Sequence, residues 1–260
     1  MTHLEKPKVR DLHPVIWLGM PLASLAIRFL APLMSRKWWH ICMREEIGFV
    51  EIATVVFLLP AIVLGVLIFL RRRELPRFVG LLMLVGGLAA LYFAGEEISW
   101  GQTYLHYSTP ECLQEINRQR EFNLHNIELA KYGPWIDLLD DLVNNVPRQL
   151  MLWGTIIGGI VLPPVLRRRF SNPQARQSAW YWLVPNYRLM PIALMAVLFR
   201  IPHSLRHLIG RPAPGSYSSM AIYEASGEFK EYCYALVILL YLLSIFLRMG
   251  PRKPTESRQG

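Results

Sequence analysis

A chain of 260 residues in which 53% are hydrophobic and only 18% are charged is too apolar for a soluble protein, where about 25% of residues carry charge. The same figures exclude an intrinsically disordered chain, and the absence of a repeat excludes a collagen-like or coiled-coil rod. The apolar residues form runs long enough to cross a bilayer. The composition therefore indicates an all-α, multi-pass membrane protein.

Six apolar runs are candidate membrane spans, since a spanning helix needs about 20 mainly apolar residues. The third is short unless it continues through Glu96 and Glu97, and the fifth is interrupted by Pro191 and Pro202 or begins near Ala179. We predict a polytopic helix bundle forming one integral-membrane domain over residues 1–260. Its six spans are Val15–Met34, Phe49–Leu70, Phe78–Phe93, Gln149–Leu166, Leu189–Leu208 and Tyr232–Met249.

The positions of Lys and Arg predict the orientation of the spans. With six crossings, the side that holds both termini carries 16 of the 28 basic residues and four of the 19 acidic ones, so both termini are expected in the cytoplasm. The first apolar run contains Arg28 and follows a polar start, which favours a retained signal anchor over a cleaved signal peptide. The basic residues form short clusters beside spans, so the lipid bilayer is the expected partner and nucleic acid is not.

The longest connection, residues 95–148, is too long for a bare loop and is expected to form a helical cap on the outer face. Thr109-Pro110-Glu111 is typical of a helix start, with Thr109 as N-cap and Pro110 at the first helical position. The segment Leu124–Asn145 mixes apolar and acidic residues, which favours amphipathic helices on the membrane surface or over the bundle.

Within this cap, the block Gly95–Gln102 holds two adjacent carboxylates, Glu96 and Glu97, at the end of an apolar span. Carboxylates at that depth need partners or a water-filled cavity, which favours a functional site. The alternative is that both lie in the membrane interface beside Trp100.

Histidines supply two further candidate features on the outer face. His125 and Glu128 are three residues apart, so on a helix they share a face and could ligate a metal, share a proton or simply pair structurally. His203 and His207 are spaced as in His-x-x-x-His, a spacing that suits Zn or Fe but also arises by chance.

Two other charged sets lie near the outer ends of spans. Arg28 and Glu51 are at a common depth and are predicted to form a structural ion pair, with Glu97 as a competing partner for Arg28. Glu224, Glu228 and Glu231 lead into the last span at helical spacing. This acidic stripe is typical of a solvated helix face, and a site is the alternative.

Several of these motifs together resemble a group of uncharacterised bacterial multi-spanning membrane proteins. The matching positions are Arg44–Gly48 with Glu51 and Thr54, then Gly95–Gln102, Thr109–Glu111 and Asn123–Asn126, where Glu46-Ile47 departs from the group's Asp before Gly. The resemblance implies a bacterial inner (plasma) membrane location and a common use of the signature positions, among them Trp100, Gln102, Asn123 and Asn126. It gives no catalytic role that could be carried over to this chain.

Three functions remain open. The first is a metal-dependent enzyme acting on lipid or a lipid-linked cell-envelope precursor, with the Glu96–Glu97 and His125–Glu128 pairs as catalytic groups. Glu97 and the histidines at 125, 203 and 207 would hold a divalent metal such as Zn²⁺. The second is a non-catalytic membrane subunit or assembly factor that binds a protein partner, or a second copy of itself, through its cap. The third is a small proton-coupled transporter with Glu51 and Glu97 as relay carboxylates.

Overall fold

The computed structural model describes residues 11–43, 48–124, 126–127, 138, 141–166, 177–201 and 212–251. These residues are mostly helical. Within the described ranges no strand occurs, and one isolated antiparallel bridge joins Asn117 to Ile127. The predicted all-α class is confirmed.

Ten longer or α-helical segments carry the described part of the fold, and five of them are long and apolar enough to cross a membrane. These five are α1, α3, α4 from Phe78, α7 and α10. The helices are α1 (Val15–Met34), α2 (Arg36–Met43), α3 (Phe49–Leu70), α4 (Arg77–Glu97), α5 (Gln102–Leu105), α6 (Glu111–Ile116), α7 (Val146–Leu166), α8 (Ala179–Leu183), α9 (Met190–Leu198) and α10 (Ser226–Met249). Short 3-10 or π-helical turns lie between them at Arg72–Glu74, Ser99–Gly101, Asp141–Asn145, Tyr187–Leu189 and Ser219–Tyr223.

The predicted spans agree with these helices except at the third, the fifth and the sixth, and the helix of the sixth begins at Ser226, six residues before the predicted Tyr232. The third runs on to Glu97, because the helical hydrogen bonding of α4 continues through both carboxylates. The fifth is represented by α9, which ends at Leu198 and is followed by a turn at Phe199 and Arg200. The rest of that predicted span, residues 202–208, lies outside the described residues.

Glycines set the closest helix contacts in the bundle. A Cβ on Gly65 of α3 would lie 2.7 Å from the Cα of Gly87 in α4, so only glycine allows these two backbones to meet. A Cβ on Gly159 of α7 would lie 2.6 Å from the Cβ of Ala193 in α9. Such close approach is a common way for helices to associate in lipid, where burial of apolar surface gives no driving force.

The last helix, α10, is the centre of the bundle and is the most buried of the five candidate spans. Its side chains join two cores. One core includes Leu236 and Leu240 with Ile192 of α9, and the other includes Leu242 and Ile245 with Leu58 of α3.

Polar contacts define the two ends of the bundle. At one end Arg248 donates to the carbonyl of Tyr181, and Asn186 donates to the carboxylate of Asp11. At the other end α4 finishes at Glu97 and α10 begins at Ser226. We call these the Arg248 end and the Glu97 end.

Candidate functional site

At the Glu97 end the chain leaves α4 through three consecutive residues in the left-handed region. These are Ser99 (φ 45°), Trp100 (φ 54°) and Gly101 (φ 88°). Only glycine adopts this conformation without cost, and other residues pay about 1–2 kcal/mol. Ser99 and Trp100 therefore need surrounding contacts that hold the turn in place.

Glu96 supplies the first of these contacts. Its side chain is buried, and one carboxylate oxygen accepts the indole N–H of Trp100 at 2.8 Å while the other accepts the backbone N–H of Leu124 at 2.7 Å. The Trp100 ring lies so close to Gly95 that a Cβ there would be 2.8 Å from three ring atoms. Glu96 thus ties the turn to the segment that follows α6.

Gln102 holds the same loop from its other side. Its amide nitrogen donates to the hydroxyl of Thr109 at 2.6 Å and its oxygen accepts the backbone N–H of Phe122 at 2.7 Å. Thr109 in turn donates to the carbonyl of Arg120. The prediction that Thr109 caps α6 was wrong, because Pro110 precedes the first helical residue Glu111 and the Thr109 hydroxyl is used across the loop.

Asn123 connects the turn at Ser99 to the loop that follows α6. Its amide donates to the hydroxyl of Ser99 at 3.0 Å and to Glu121 at 2.8 Å, and its side-chain oxygen accepts from Asn117 at 2.8 Å. Asn126 donates to the side chain of Gln119. We call the set of Glu96, Ser99, Trp100, Gln102, Thr109, Asn117, Glu121 and Asn123 the signature network.

Glu97 faces a different neighbourhood from Glu96. Carboxylate oxygens of Glu97, Glu228 and Glu231 all lie within 4.8 Å of one another, and each of the three side chains is half-buried. Glu228 and Glu231 are three residues apart on α10, so they present their carboxylates on one helix face. We call these three residues the carboxylate cluster.

Two more charged groups act on this cluster. Glu51, in the first turn of α3, and Lys230 both lie near enough to influence Glu97 electrostatically. Lys230 is 3.4 Å from the carboxylate of Glu231. Four acidic groups from three helices therefore share a small region with Lys230, and two ionised carboxylates about 5 Å apart repel by about 3 kcal/mol at an effective dielectric constant near 20.

Arg28 lies nearby but is bound to the backbone. It is fully buried, and it donates to the carbonyls of Ala221 at 2.9 Å and of Glu224. Its guanidinium also lies over the ring of Phe229 at 5.4 Å. The carbonyls that accept from Arg28 thus belong to the chain that leads into α10, and its guanidinium also donates to the sulfur of Met43 at 3.4 Å. Glu51 acts electrostatically on Glu97.

Glu224 stands apart from the carboxylate cluster. The predicted stripe with Glu228 and Glu231 is broken, because Ala225 is left-handed (φ 50°) and α10 begins only at Ser226. Burial of Glu224 opposes its ionisation, but hydrogen bonds from the Gly215 N–H and the Ser219 hydroxyl, with the charges of Arg36 and His40, lower its pKa overall.

The remaining predicted site residues lie outside the described residues. They are His125, Glu128, His203 and His207. The structure therefore separates the adjacent pair Glu96 and Glu97, and it brings Glu97 together with two residues from far along the chain. The sequence signal for the carboxylate cluster is the three-residue spacing of Glu228 and Glu231, which is equally typical of a solvated helix.

No protein-family model, no curated protein and no solved structure matches the chain.

Proposed function

We propose that this chain is a bacterial inner-membrane protein with both termini in the cytoplasm, and that it binds a divalent cation at the carboxylate cluster on its outer face. We further propose that it belongs to the bacterial group with the Gly95–Gln102 signature. The observation that carries the cation site is the placement of the Glu97, Glu228 and Glu231 oxygens within 4.8 Å of one another.

The charge distribution supports the orientation. The termini and the loops on their side hold most of the basic residues, which in bacterial inner-membrane proteins face the cytoplasm. The described spans α3, α4 and α10 run between that side and the Glu97 end. The carboxylate cluster then opens toward the outer leaflet.

Electrostatics supports the cation. Three carboxylates at this separation, with Glu51 beside them, repel one another when they are ionised. A divalent ion removes the repulsion and is bound by several oxygens at once. Carboxylate ligands alone favour Mg²⁺, Ca²⁺ or Mn²⁺, whereas addition of His125, His203 or His207 to the set would favour Zn²⁺.

The cation would serve a hydrolytic reaction on lipid or a lipid-linked envelope precursor. A bound divalent ion polarises an ester or phosphoester and lowers the pKa of a coordinated water. Glu97 is the last residue of the candidate span α4, and Glu228 and Glu231 lie in the first two turns of α10, so the proposed membrane location puts the cluster near the depth of a lipid headgroup. In this assignment Glu97, Glu228 and Glu231 hold the ion, and Glu96 has no chemical step because its oxygens brace the loop.

A second function is favoured by the signature network itself. Its members form hydrogen bonds with one another and with the backbone of the same cap, as expected of a non-catalytic membrane subunit or assembly factor whose cap must keep one shape to bind a partner. In that case the carboxylate cluster stabilises the bundle and no reaction takes place.

Metal content of the detergent-purified protein distinguishes the two functions. We expect a near-stoichiometric divalent metal by elemental mass spectrometry, and its loss in Glu97→Gln and in Glu231→Gln. Glu111→Gln is the matched control, since Glu111 is an exposed carboxylate in the same cap. The variants His125→Ala and His203→Ala report whether histidines complete the site.

Absence of metal from the folded wild-type protein, and no binding of added Mn²⁺, Ca²⁺ or Zn²⁺, would overturn the cation site. Metal that binds without hydrolysis of any lipid-linked substrate would leave the cation site standing and overturn the enzymatic role. Co-purification of partners would then test the subunit function.

A further inference from the structure

We propose that Trp100, Tyr104 and Leu105 form an interfacial anchor that seats the cap in the lipid leaflet surrounding the Glu97 end. The proposal concerns how the cap is held against the bilayer, and it depends on the membrane location of the helices but not on the cation site.

The first observation is the exposure of apolar side chains in the short helix α5 and just before it. Leu105 is 73% exposed, Tyr104 is 59% exposed and Trp100 is 41% exposed. Exposing a leucine and two aromatic rings together to water forgoes several kcal/mol of burial, at about 25 cal/mol per Å². Neighbouring exposed apolar groups mark a surface that something covers.

The second observation is that α5 has two chemically distinct sides. Gln102 points into the signature network, where it contacts Thr109 and Phe122. Tyr104 and Leu105 are exposed instead. The hydrogen bonds of Gln102 fix the rotation of this single turn, so the apolar side chains are held outward.

The third observation identifies the occupant. The exposed side of α4 is a stripe of apolar residues that ends at Tyr92 and includes Leu81, Val85 and Leu88. In a membrane-spanning helix such a stripe faces lipid. Tyr92 meets the ring of Trp100 edge-on at 6.2 Å between centroids, so the lipid-facing stripe continues from α4 into the cap.

The chemistry of Trp100, Tyr104 and Leu105 fits the boundary between lipid headgroups and acyl chains. Trp and Tyr are enriched there because their rings prefer the acyl boundary while their polar atoms remain hydrogen-bonded. The Trp100 indole N–H is already satisfied by Glu96, so its ring can enter an apolar environment without leaving a donor unpaired. The occupant is therefore the bilayer.

Site-directed spin labelling tests the anchor in the full-length protein. The native Cys112 is exposed on α6, so a nitroxide on Cys112, with Cys42→Ser and Cys233→Ala, is the control. The test position is Leu105→Cys in the same background with Cys112→Ala. Both proteins are reconstituted into phosphatidylethanolamine–phosphatidylglycerol vesicles, and collisions with O₂ and with a water-soluble nickel chelate are measured.

We expect the label at position 105 to collide at least about threefold less with the nickel chelate than the label at 112, and more with O₂, as a group 5–10 Å below the headgroups would. Equal nickel accessibility at the two positions would overturn the proposal, because it would place Leu105 in water. Exclusion of both reagents from position 105 would also overturn it, because a protein surface would then cover the patch. Tyr104→Cys gives a second reading of the same surface if Leu105→Cys fails to fold.

Discussion

Two neighbouring regions at the Glu97 end use the same chemical group in opposite ways. In the signature network, Glu96 is buried and its two oxygens accept hydrogen bonds from Trp100 and Leu124. In the carboxylate cluster, Glu97 meets two further carboxylates from another helix. The first arrangement gives one carboxylate its hydrogen-bond donors, and the second brings several carboxylates together.

Helix geometry explains the division. Successive residues on an α-helix point about 100° apart, so Glu96 and Glu97 at the end of α4 face different neighbours. Of the two adjacent carboxylates, Glu96 therefore braces the loop and Glu97 is the one that we propose binds a cation. The variants below separate these two roles.

The largest effect is expected for Glu96→Ala. The change removes the acceptor of two N–H groups, each of which costs about 1–3 kcal/mol when left without a partner in a dry environment. We expect the protein to lose about 2–3 kcal/mol of stability and to melt at a clearly lower temperature in detergent. Glu97→Ala removes repulsion and is expected to melt at or above the wild-type temperature without added cation. Equal losses in the two variants would contradict the division of roles.

Gly95→Ala is expected to be nearly as damaging. The new Cβ would lie 2.8 Å from the Trp100 ring, so the ring must move and its hydrogen bond to Glu96 is strained or lost. Overpacking of this kind costs about 2 kcal/mol. Gly154→Ala is the matched control, because nothing lies within 4 Å of a Cβ there, and in a helix alanine gains up to about 1 kcal/mol over glycine. A melting temperature unchanged by Gly95→Ala would show that the ring does not need this position.

Asn123→Ala tests the far side of the signature network. Asn123 is buried and donates to Ser99 and Glu121, so its loss is expected to cost about 1 kcal/mol. The exposed Asn145, which bonds Asp141 within its own turn, provides the control Asn145→Ala, for which we expect no measurable change. Thermal denaturation of the pair gives the difference. A larger loss for Asn145→Ala would contradict the assignment of Asn123 to the network.

The smallest effect is expected for Glu224→Gln, which tests whether the third acid of the apparent stripe belongs to the cluster. The pKa of Glu224 is lowered from its ordinary value of 4.5, so its contribution to stability is present above that value and is lost as the pH falls through the lowered pKa. As the pH is lowered, the melting temperature of the variant should fall slightly less than that of the wild type. The variant should bind metal like the wild type. Loss of metal binding would place Glu224 in the cluster.

The sequence predicted the features that depend on local composition. Three of the spans appear within three residues of their expected bounds and the last begins six residues early, because an apolar run of membrane length has few alternatives to a helix. The sequence alone does not decide whether α4 extends through Glu96 and Glu97. The orientation of the termini and the bacterial location stay predictions.

The site could be predicted only in part, because its partners are far apart in the chain. The pairing of Glu97 with Glu228 and Glu231 joins residues more than 130 positions apart, and it depends on how α4 and α10 pack. The roles of Glu96 and Trp100 depend on a left-handed turn at Ser99, a non-glycine residue. Neither the packing nor the turn is encoded in residue spacing.

Melting temperatures of wild type, Glu96→Gln and Glu97→Gln, each with and without Mn²⁺, test the central claim most directly. A bound ion stabilises the folded state by mass action, so we expect Mn²⁺ to raise the melting temperature of the wild type. Glu96→Gln should melt lower than the wild type and keep that rise, whereas Glu97→Gln should melt normally and lose it. A Glu97→Gln protein that keeps the full Mn²⁺ response, or a Glu96→Gln protein that loses it while remaining as stable as the wild type, would contradict the opposite roles of the two residues.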